Sequence, residues 1–461
     1  MIHLYQNNGY NIVLDVNSGA VHVVDKAAYD VIGALEEQNE LHTAETLKTP
    51  ETFEFLRSKL GSTYAEEDIR DILEAVATIT QEGRLFTRDV YEDYIDEVKQ
   101  RKTVVKALCL HIAHDCNLAC RYCFAEEGEY HGRRALMSYE VGKKALDFLI
   151  ANSGKRRNLE VDFFGGEPLM AMDTVKKTVE YARSIEEEHD KCFRFTITTN
   201  GVLLNDENIE YINREMSNAV LSIDGRKEVN DDLRPTVNGK GSYDVIVPKF
   251  QKLIEGRGTK DYYLRGTFTR FHQDFAEDVK ALASIGRNIS VEPVVGKEDD
   301  PYALQEADLP ALKAEYERLA EYLRDHPETN FFHFNVDLAQ GPCVIKRLRG
   351  CGAGCEYVAI TPEGDIYPCH QFVGNEDYKL GSLYDGTFDK ELSGRFAGLN
   401  IYTREECKDC WARFYCSGGC SASNLLVNGD IKKPHRVGCE LERKRLECAI
   451  ALRAIAAGMA E

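Results

Sequence analysis

The sequence predicts an α/β protein in which a parallel sheet with helical crossovers lies between a small N-terminal module and a cysteine-rich C-terminal region. Between residues 106 and 296, strand-like apolar runs alternate six times with helical patterns, which is typical of parallel strands joined by helices. Residues 1–86 instead alternate apolar and polar positions around turn signals, as short antiparallel strands do. Residues 343–461 are rich in loops and cysteines.

Composition sets the broad class. The 461 residues are enough for about three domains of roughly 150 residues each, and 43% apolar with 29% charged residues is an ordinary globular balance. A net charge of −20 argues against a nucleic-acid partner, because such binding neutralises phosphates with cations. The chain shows neither a membrane-spanning apolar run nor a signal peptide at its start, so we expect no membrane partner and a cytoplasmic location.

The N-terminal module predicts a three-stranded sheet with helices. Turn signals at residues 7–9 (NNG) and 17–19 (NSG) divide the segment HLYQNNGYNIVLDVNSGAVHVVD into strands. Helical patterns follow in AAYDVIGALEEQ and, after a longer polar region, in EEDIRDILEAVATITQEG, where Gly83 is a plausible C-cap. These elements predict a winged-helix-like unit over residues 1–86, and the charge-rich residues 87–105 are expected to be a linker or an exposed helix.

The central unit, residues 106–296, supplies the predicted parallel sheet. Its helices have recognisable starts, such as the N-cap Asn205. Such folds place their chemistry at the C-terminal ends of the strands. Residues 297–342 read as a polar, mostly helical bridge, and residues 343–461 contain the hairpin-like YVAITPEGDIYPCHQF and a terminal helix over 440–459. The six predicted strands are KALCLHIA, NLEVDFFGG, CFRFTITTNG, AVLSIDG, YYLRGTFTR and NISVEPVVG.

Fifteen cysteines are unusual for a chain without a signal peptide, and in that setting clustered cysteines more often indicate metal binding or catalysis than disulfides. Eleven of them fall into two groups. Cys109 and Cys192 lie in apolar strand-like runs and are predicted to be core residues. Cys343 and Cys448 receive no assigned role.

The first group is Cys116-x3-Cys120-x2-Cys123, in a loop directly after the first predicted strand. Three thiolates this close can hold three corners of a 4Fe–4S cubane, which normally takes four cysteines. Since no fourth cysteine is near, one iron is left open, and an open position is the mark of a catalytic metal site. The alternative is a structural zinc site that borrows a distant ligand.

The segment CNLACRYCF resembles the signature of the radical S-adenosylmethionine (SAM) enzymes. The resemblance implies a (β/α)6 partial TIM barrel over residues 106–296. It also implies that the open iron chelates the amino and carboxylate groups of SAM.

Further positions match the family's SAM contacts. Glu167, after the glycine pair of GGEP, would accept hydrogen bonds from the SAM ammonium, and Arg234 would bind the carboxylate through its guanidinium fork. Ser222 matches a ribose contact. Tyr122 and Val291 match adenine contacts. The full set of cofactor-binding residues implied by the resemblance is Tyr122, Gly165, Gly166, Glu167, Asn200, Ser222, Arg234 and Val291.

The second group contains eight cysteines, too many for one tetrahedral site and enough for two four-ligand sites. Paired C-x2-C spacing alone would also suggest a zinc ribbon. Its run C-x2-C-x5-C-x3-C and the GDIYPC hairpin resemble the SPASM extension of radical SAM enzymes, which holds two auxiliary 4Fe–4S clusters. The members are Cys351, Cys355, Cys369, Cys407, Cys410, Cys416, Cys420 and Cys439.

By motif position, the resemblance assigns Cys351, Cys369 and Cys420 to the first auxiliary cluster, and the second is held by Cys407, Cys410, Cys416 and Cys439. Two alternatives stand for Cys355. Either it closes the first cluster, or that cluster keeps an open iron able to bind a substrate thiolate. His370 stands where SPASM enzymes that mature sulfatases have an Asp. This difference argues against a role in sulfatase maturation.

The segment YNIVLDVNSGAVHVVDKAAYDVI resembles the peptide-recognition element of enzymes that modify ribosomal peptides. Such an element binds a leader peptide by adding it to a sheet edge, where main-chain hydrogen bonds give affinity. A regulatory or dimerisation domain is the alternative. The whole layout most resembles the maturases of SCIFF peptides, which are small cysteine-rich precursors.

The resemblance implies an enzyme with three 4Fe–4S clusters that cleaves SAM to a 5′-deoxyadenosyl radical and forms intrapeptide thioether crosslinks at Cα. Its partners would be a cysteine-rich precursor peptide and an electron donor such as flavodoxin or ferredoxin. One alternative is a SPASM peptide modifier that makes a C–C bond or inverts a stereocentre. The other is a non-catalytic, zinc-containing peptide-binding protein.

Overall fold

An antiparallel sheet and four helices form the N-terminal module in a computed structural model that describes residues 1–38, 40–96, 103–130, 132–338 and 348–458. The strands pair in the order β1-β2-β3, and Asn8 and Gly9, both with positive φ, make the two-residue turn between the first two. The elements are β1 (Ile2–Asn7), β2 (Tyr10–Asp15), β3 (Val21–Val24), α1 (Lys26–Glu36), α2 (Ala44–Leu47), α3 (Pro50–Leu60) and α4 (Glu66–Gln81).

Six parallel strands form the centre of a second, larger sheet, and they lie side by side in chain order. Sequential order is how a (β/α) barrel winds, in contrast to the reversing order of doubly wound sheets. The strands are β4 (Ala107–His114), β6 (Asn158–Gly165), β7 (Cys192–Thr199), β8 (Asn218–Ser222), β9 (Asp261–Phe268) and β10 (Asn288–Pro293), and the two-residue β5 (Ala135–Leu136) pairs antiparallel with β4.

Helices cross between these strands and bury apolar faces against them. Leu146 and Leu149 on one helix and Val175 on the next are fully buried with Phe163 of β6. The helices are α5 (Tyr139–Asn152), α6 (Met172–Ile185), α7 (Asp206–Glu215), α8 (Lys227–Leu233), α9 (Tyr243–Glu255) and α10 (Phe275–Ala283).

The C-terminal region continues the larger sheet beyond β4. A hairpin of β12 (Tyr357–Ile360) and β13 (Asp365–Tyr367) joins it, because β12 pairs parallel with β4 in the register Tyr357 to Ala107. The short β14 (Gly381–Ser382) follows. The remaining helices are α11 (Leu309–Asp325), α12 (Lys390–Ala397), α13 (Glu405–Lys408), α14 (Arg413–Cys416), α15 (Ser421–Asn428) and α16 (Arg436–Ala456).

The structure departs from the sequence prediction where elements are short or pairing is long-range. The bridge over 297–342 holds α11, but Asn330–Phe331 (β11) adds a seventh parallel strand beside β10. Two residues are too few to show strand periodicity. The polar region after α1 forms α2 and α3, and α8 was not predicted. The hairpin was predicted, whereas its pairing with β4 was not, since local patterns carry no information on distant partners.

Among the residues that the structure describes, every helix is too short or too polar to cross a bilayer. The terminal helix begins at Arg436, four residues before the predicted start. Cys343 and part of the predicted linker lie outside the described residues.

A buried arginine joins the N-terminal module to the cysteine-rich region. Arg413 is 5% exposed and donates to Asn17 Oδ1 at 2.7 Å and to Asp89 Oδ2 at 3.0 Å. The same Asp89 carboxylate accepts from the Tyr402 hydroxyl at 2.9 Å. The described part of residues 87–105 therefore packs against the cysteine-rich region through specific side chains.

Replacing Arg413 by alanine should lower the free energy of unfolding by about 3–5 kcal/mol, because the Asp89 carboxylate then loses its buried cation. Denaturant unfolding of the anaerobically purified protein measures this. The exposed Arg395→Ala is the control and should stay within about 0.5 kcal/mol of the parent. Equal effects of the two substitutions would contradict the role given to Arg413.

Candidate active site

The loop after β4 carries Cys116, Cys120 and Cys123 to the C-terminal edge of the parallel strands. Backbone hydrogen bonds fasten this loop to the segment after α8: Ala119 N donates to Pro235 O at 2.8 Å and Arg121 N donates to Leu233 O at 3.0 Å. The three thiols therefore do not sit on a free loop. They are held beside the segment that contains Arg234.

The glycine pair of GGEP allows the end of β6 to touch the loop after β4. Gly166 N donates to Ala113 O at 2.7 Å. A Cβ on Gly165 would lie 2.3 Å from Ala113 O, and one on Gly166 would lie 2.1 Å from Asp115 O. Real Cβ atoms do not approach backbone oxygens this closely, so any side chain here would push the cysteine loop away.

Glu167 is fully buried and accepts three hydrogen bonds from the chain itself. They come from Leu169 N at 3.0 Å, Thr199 Oγ1 at 2.8 Å and Asn200 N at 2.8 Å. Burial raises the pKa of Glu167, while these donors and Arg234 oppose the rise. A carboxylate offers about four lone-pair sites, so one is left for a ligand ammonium. The predicted ammonium contact stays a prediction.

Arg234 belongs to a buried chain of polar groups. Its Nη1 donates to the Tyr122 hydroxyl at 2.8 Å, and that hydroxyl donates to Asp224 Oδ2 at 2.7 Å. Asp224 also accepts from Thr267 N at 3.0 Å. Arg234 Nε is buried and has no hydrogen-bond partner among the described residues. A positioned guanidinium with an unused N–H suits the carboxylate of a bound ligand.

The cysteine loop and the strand ends enclose one cavity. Glu167 and Val291 are not among its lining residues, and Val291 is 2% exposed within β10. Asn200 also lies close to the first thiol: its Nδ2 donates to Asn117 Oδ1 at 2.8 Å and is 3.7 Å from Cys116 Sγ. The predicted residues that line the cavity are Cys116, Cys120, Cys123, Tyr122, Gly165, Gly166, Asn200, Ser222 and Arg234.

Sequence reasoning missed several residues of this cavity. Phe164 and Thr199 lie beside predicted residues at the ends of β6 and β7, whereas Arg265 and Thr267 lie on β9, which supplied no predicted residue, and all four line the cavity. The signal that could have found them is position alone, since chemistry in such folds gathers at the C-terminal strand ends. Asp224, which accepts a hydrogen bond from the lining residue Tyr122, was likewise missed, although it lies within the SIDG segment.

Burial disfavours the charged form of the loop thiols. It raises the pKa of Cys116 to about 11 and that of Cys120 to about 12. Both thiols are therefore protonated at neutral pH, and a metal must displace these protons when it binds.

Two neutral histidines on β4 lie behind the cavity. His111 Nδ1 is 3.0 Å from His114 Nε2, and both rings contact Tyr130, which lines the cavity. Burial lowers the pKa of His111 well below its usual range and that of His114 to about 4. Phe164 links this pair to His370, whose pKa burial lowers to about 4. The rings connect the cavity to the cysteine-rich hairpin.

The first auxiliary set includes Cys369, which follows the second strand of the hairpin. Burial, and then the nearby Cys420 and Cys351, raise the pKa of Cys369. Burial, then Glu356 and also Cys351 raise the pKa of Cys355 to about 11. Its Sγ lies 3.5 Å from Gly352 O.

The second auxiliary set lies around α14 and the start of α16. Burial, followed by Glu442, Cys439 and Cys407, raises the pKa of Cys416. Burial raises the pKa of Cys439 to about 11, with Cys407 and Cys410 as further causes. These contacts bring together the four cysteines that motif position assigned to one cluster.

The other cysteines have separate settings. Cys109 and Cys448 are buried, Cys192 is half-buried, and Asn7 Nδ2 approaches Cys448 Sγ to 3.4 Å. Within the described residues, no three His, Cys, Asp or Glu side chains converge as ligands of a single metal ion. A cubane makes a different demand, because each thiolate binds its own iron.

Two family models match the chain. Residues 110–266 match the Radical SAM superfamily and residues 351–411 match SPASM, an iron–sulfur cluster-binding domain. The protein thus has the α/β radical SAM fold, with a parallel sheet core and a C-terminal SPASM domain, and these domains imply 4Fe–4S clusters and SAM binding. The residues around the cavity fit a cluster and SAM. Three thiols could hold the cluster, and the unused N–H of Arg234 could bind the SAM carboxylate.

Several curated proteins are similar to the chain. The radical SAM cyclopropyl synthase TigE of Paramaledivibacter caminithermalis is 23% identical, over 73% of this chain and 72% of that protein. The mycofactocin maturase MftC of Mycolicibacterium smegmatis is 27% identical, over 71% and 81%. The cysteine-type anaerobic sulfatase-maturating enzyme of Clostridium novyi is 25% identical, over 66% and 85%.

Solved structures share the fold at lower identity. Native anSMEcpe with bound AdoMet superposes with a TM-score of 0.63 at 19% identity, covering 76% of this chain and 99% of that one. Streptococcus suis SuiB bound to precursor peptide SuiA superposes with a TM-score of 0.54 at 17% identity, covering 95% and 98%. The second match extends over the N-terminal module as well.

Gly166→Ala should cost about 1–3 kcal/mol of stability and reduce iron in the cysteine loop, because its Cβ would collide with Asp115 O. Iron per chain and denaturant unfolding measure the two effects. Gly394→Ala is the matched control, since a Cβ there meets nothing within 4 Å. Full iron content in Gly166→Ala would refute the argument from close approach.

Proposed function

We propose that this chain is a radical SAM peptide maturase that forms intrapeptide thioether crosslinks in a ribosomally made, cysteine-rich precursor. The observation that carries the proposal is the cavity lined by three thiols, with no fourth cysteine among its described lining residues, and by Arg234, whose Nε–H has no hydrogen-bond partner there. When bound, the cluster supplies the electron that cleaves SAM to methionine and a 5′-deoxyadenosyl radical.

The chain's own residues bind and orient the reactants. Arg234 would hold the SAM carboxylate, Glu167 its ammonium and Ser222 its ribose, while Tyr122 keeps Arg234 in place. The strand ends that line the cavity would limit the access of water to the radical, which is the protein's role in cofactor enzymes. The predicted adenine contact of Val291 comes from β10, where the residue is already buried.

The N-terminal module would bind the leader of the precursor. Its three-stranded antiparallel sheet has two edge strands, β1 and β3, and an added peptide strand gains main-chain hydrogen bonds there. The solved SuiB structure with its precursor peptide SuiA, which matches 95% of this chain, supports a peptide substrate. So does the likeness to the maturase MftC. A flavodoxin or ferredoxin in the cytoplasm would supply the electrons.

The thioether proposal takes the alternative in which Cys355 does not close the first auxiliary cluster. Cys351, Cys369 and Cys420 would then leave one iron open for a substrate thiolate. In each crosslink the carbon would lose a hydrogen atom to the 5′-deoxyadenosyl radical, which becomes 5′-deoxyadenosine, the thiol would lose a proton, and one electron would leave the peptide for the auxiliary site. The product is two hydrogens lighter than the precursor.

A second candidate is a SPASM peptide modifier that makes another bond. The likeness to TigE favours this candidate, because TigE is a cyclopropyl synthase and the match covers nearly three quarters of each protein. A zinc-containing peptide-binding protein would need neither SAM nor iron.

The protein purified without oxygen should contain about twelve irons per chain, the sum of three 4Fe–4S clusters. The Cys116/Cys120/Cys123→Ala variant should fall to about eight and lose all 5′-deoxyadenosine formation. Cys192→Ala, a half-buried cysteine outside both groups, should match the parent in both assays. Zinc in place of iron, with no deoxyadenosine from the parent, would favour the binding protein.

Mass spectrometry of the co-expressed precursor should show a loss of two hydrogens per crosslink. In a reaction reconstituted from the purified enzyme and purified precursor, alkylating the precursor's cysteines beforehand should abolish the reaction, since it removes the thiol that couples. A change of two hydrogens that survives alkylation would indicate a C–C bond instead. An unchanged mass with an inverted residue would indicate epimerisation.

A further inference from the structure

The loop Cys416-Ser-Gly-Gly-Cys420 connects the two auxiliary sets, and one buried arginine holds it. Cys416 belongs to the second set and Cys420 to the first. Arg404 is 4% exposed, and its Nη1 donates to Gly418 O inside this loop. The same guanidinium reaches the far side of Cys420, where Nη2 donates to Ser421 Oγ at 2.9 Å.

Gly418 is shaped to admit the guanidinium. Its φ is +88°, a backbone conformation that favours glycine, and an added Cβ would lie 2.5 Å from Arg404 Nη1. The backbone of Arg404 is tied to the second set as well, because its carbonyl accepts from Cys407 N at 2.9 Å. Arg404 is therefore fixed at both ends to segments that carry cysteines.

The charge of Arg404 has no carboxylate partner within ion-pair distance in the described part of the chain. Its guanidinium is hydrogen-bonded to neutral oxygens, and Nε has no partner there. Burial lowers the pKa of Arg404, and thiols from both sets oppose this: Cys407, Cys416, Cys420 and Cys351. An arginine stays charged under these conditions, and a buried cation without a counter-charge is costly.

We propose that Arg404 is the shared electrostatic partner of both auxiliary clusters and raises the reduction potential of each. Reduction adds negative charge to a cluster, and a cation fixed between two clusters stabilises the reduced form of both. Charge and hydrogen bonding around the sulfurs are the means by which proteins set such potentials. This inference rests on the proposed function only in requiring that both auxiliary clusters are bound.

Arg443, unlike Arg404, lies near a cysteine of the second auxiliary set only. Its Nη1 lies 3.8 Å from Cys410 Sγ, a cysteine of the second set alone. Loss of its charge should therefore act on one auxiliary cluster, whereas loss of the Arg404 charge should act on two.

The test is an anaerobic redox titration of Arg404→Gln, Arg404→Lys and Arg443→Gln, followed by electron paramagnetic resonance with iron counted in each. In Arg404→Gln both auxiliary midpoints should fall by at least a tenfold change in equilibrium, which is about 59 mV for one electron. Arg404→Lys should stay within threefold of the parent, and Arg443→Gln should shift one auxiliary midpoint. The SAM-binding cluster should not move in any variant.

Unchanged auxiliary midpoints in an Arg404→Gln protein with full iron would overturn the proposal, and so would an equal shift of all three clusters. If Arg404→Gln fails to load its clusters, Gly418→Ala takes its place, because the added methyl displaces the guanidinium without removing it. Both midpoints should then fall, and unchanged ones would again overturn the proposal. A parent protein without iron would instead refute the proposed function.

Discussion

Strand β4 is paired on both edges, and the arrangement of the whole site depends on this. On one edge it pairs with β6, whose glycines let the chain touch the cysteine loop. On the other edge it pairs with β12, the first strand of the hairpin that ends at Cys369. Because hydrogen bonds fix the spacing of neighbouring strands at about 4.8 Å, the cavity beside the cysteine loop and the hairpin that leads to Cys369 are held at a fixed separation.

Buried arginines accompany the cysteines throughout this acidic chain. Arg234 lies by Cys120, Arg404 lies between the auxiliary sets, and Arg413 lies between Cys410 and Cys416. In each case Nε is buried without a hydrogen-bond partner in the described structure. A cation buried in this way is costly unless negative charge is near. Asp89 supplies that charge to Arg413, and Asp224 lies near Arg234. Arg404 instead has cysteines of the two auxiliary sets near it, and their iron-bound thiolates would supply the charge under the proposed function.

Much of the fold and of the candidate site was predictable from the sequence. The features that could not be predicted depend on contacts between distant parts of the chain. Six regular strands, the glycine pair and the hairpin are local patterns, and the structure contains them. The pairing of β12 with β4 joins residues 250 positions apart, as Tyr357 and Ala107 do, and no local pattern reports it. Asp224 and Thr267 belong to the site because strand ends meet in space. Glu167 was predicted from the GGEP motif, but the three groups that donate hydrogen bonds to its carboxylate are seen only in the structure.

The segment from Arg404 to Cys420 connects the N-terminal module with both auxiliary cysteine sets. Arg413 bonds it to Asn17 of the N-terminal module, and Cys416 and Cys420 give one thiol to each auxiliary set. A peptide added to the edge of the N-terminal sheet would thus be bound by a module whose turn is hydrogen-bonded into the auxiliary region. Under the proposed function, a shift of that turn would act on Arg413, and peptide binding would be linked to the auxiliary site through the seventeen residues from Arg404 to Cys420.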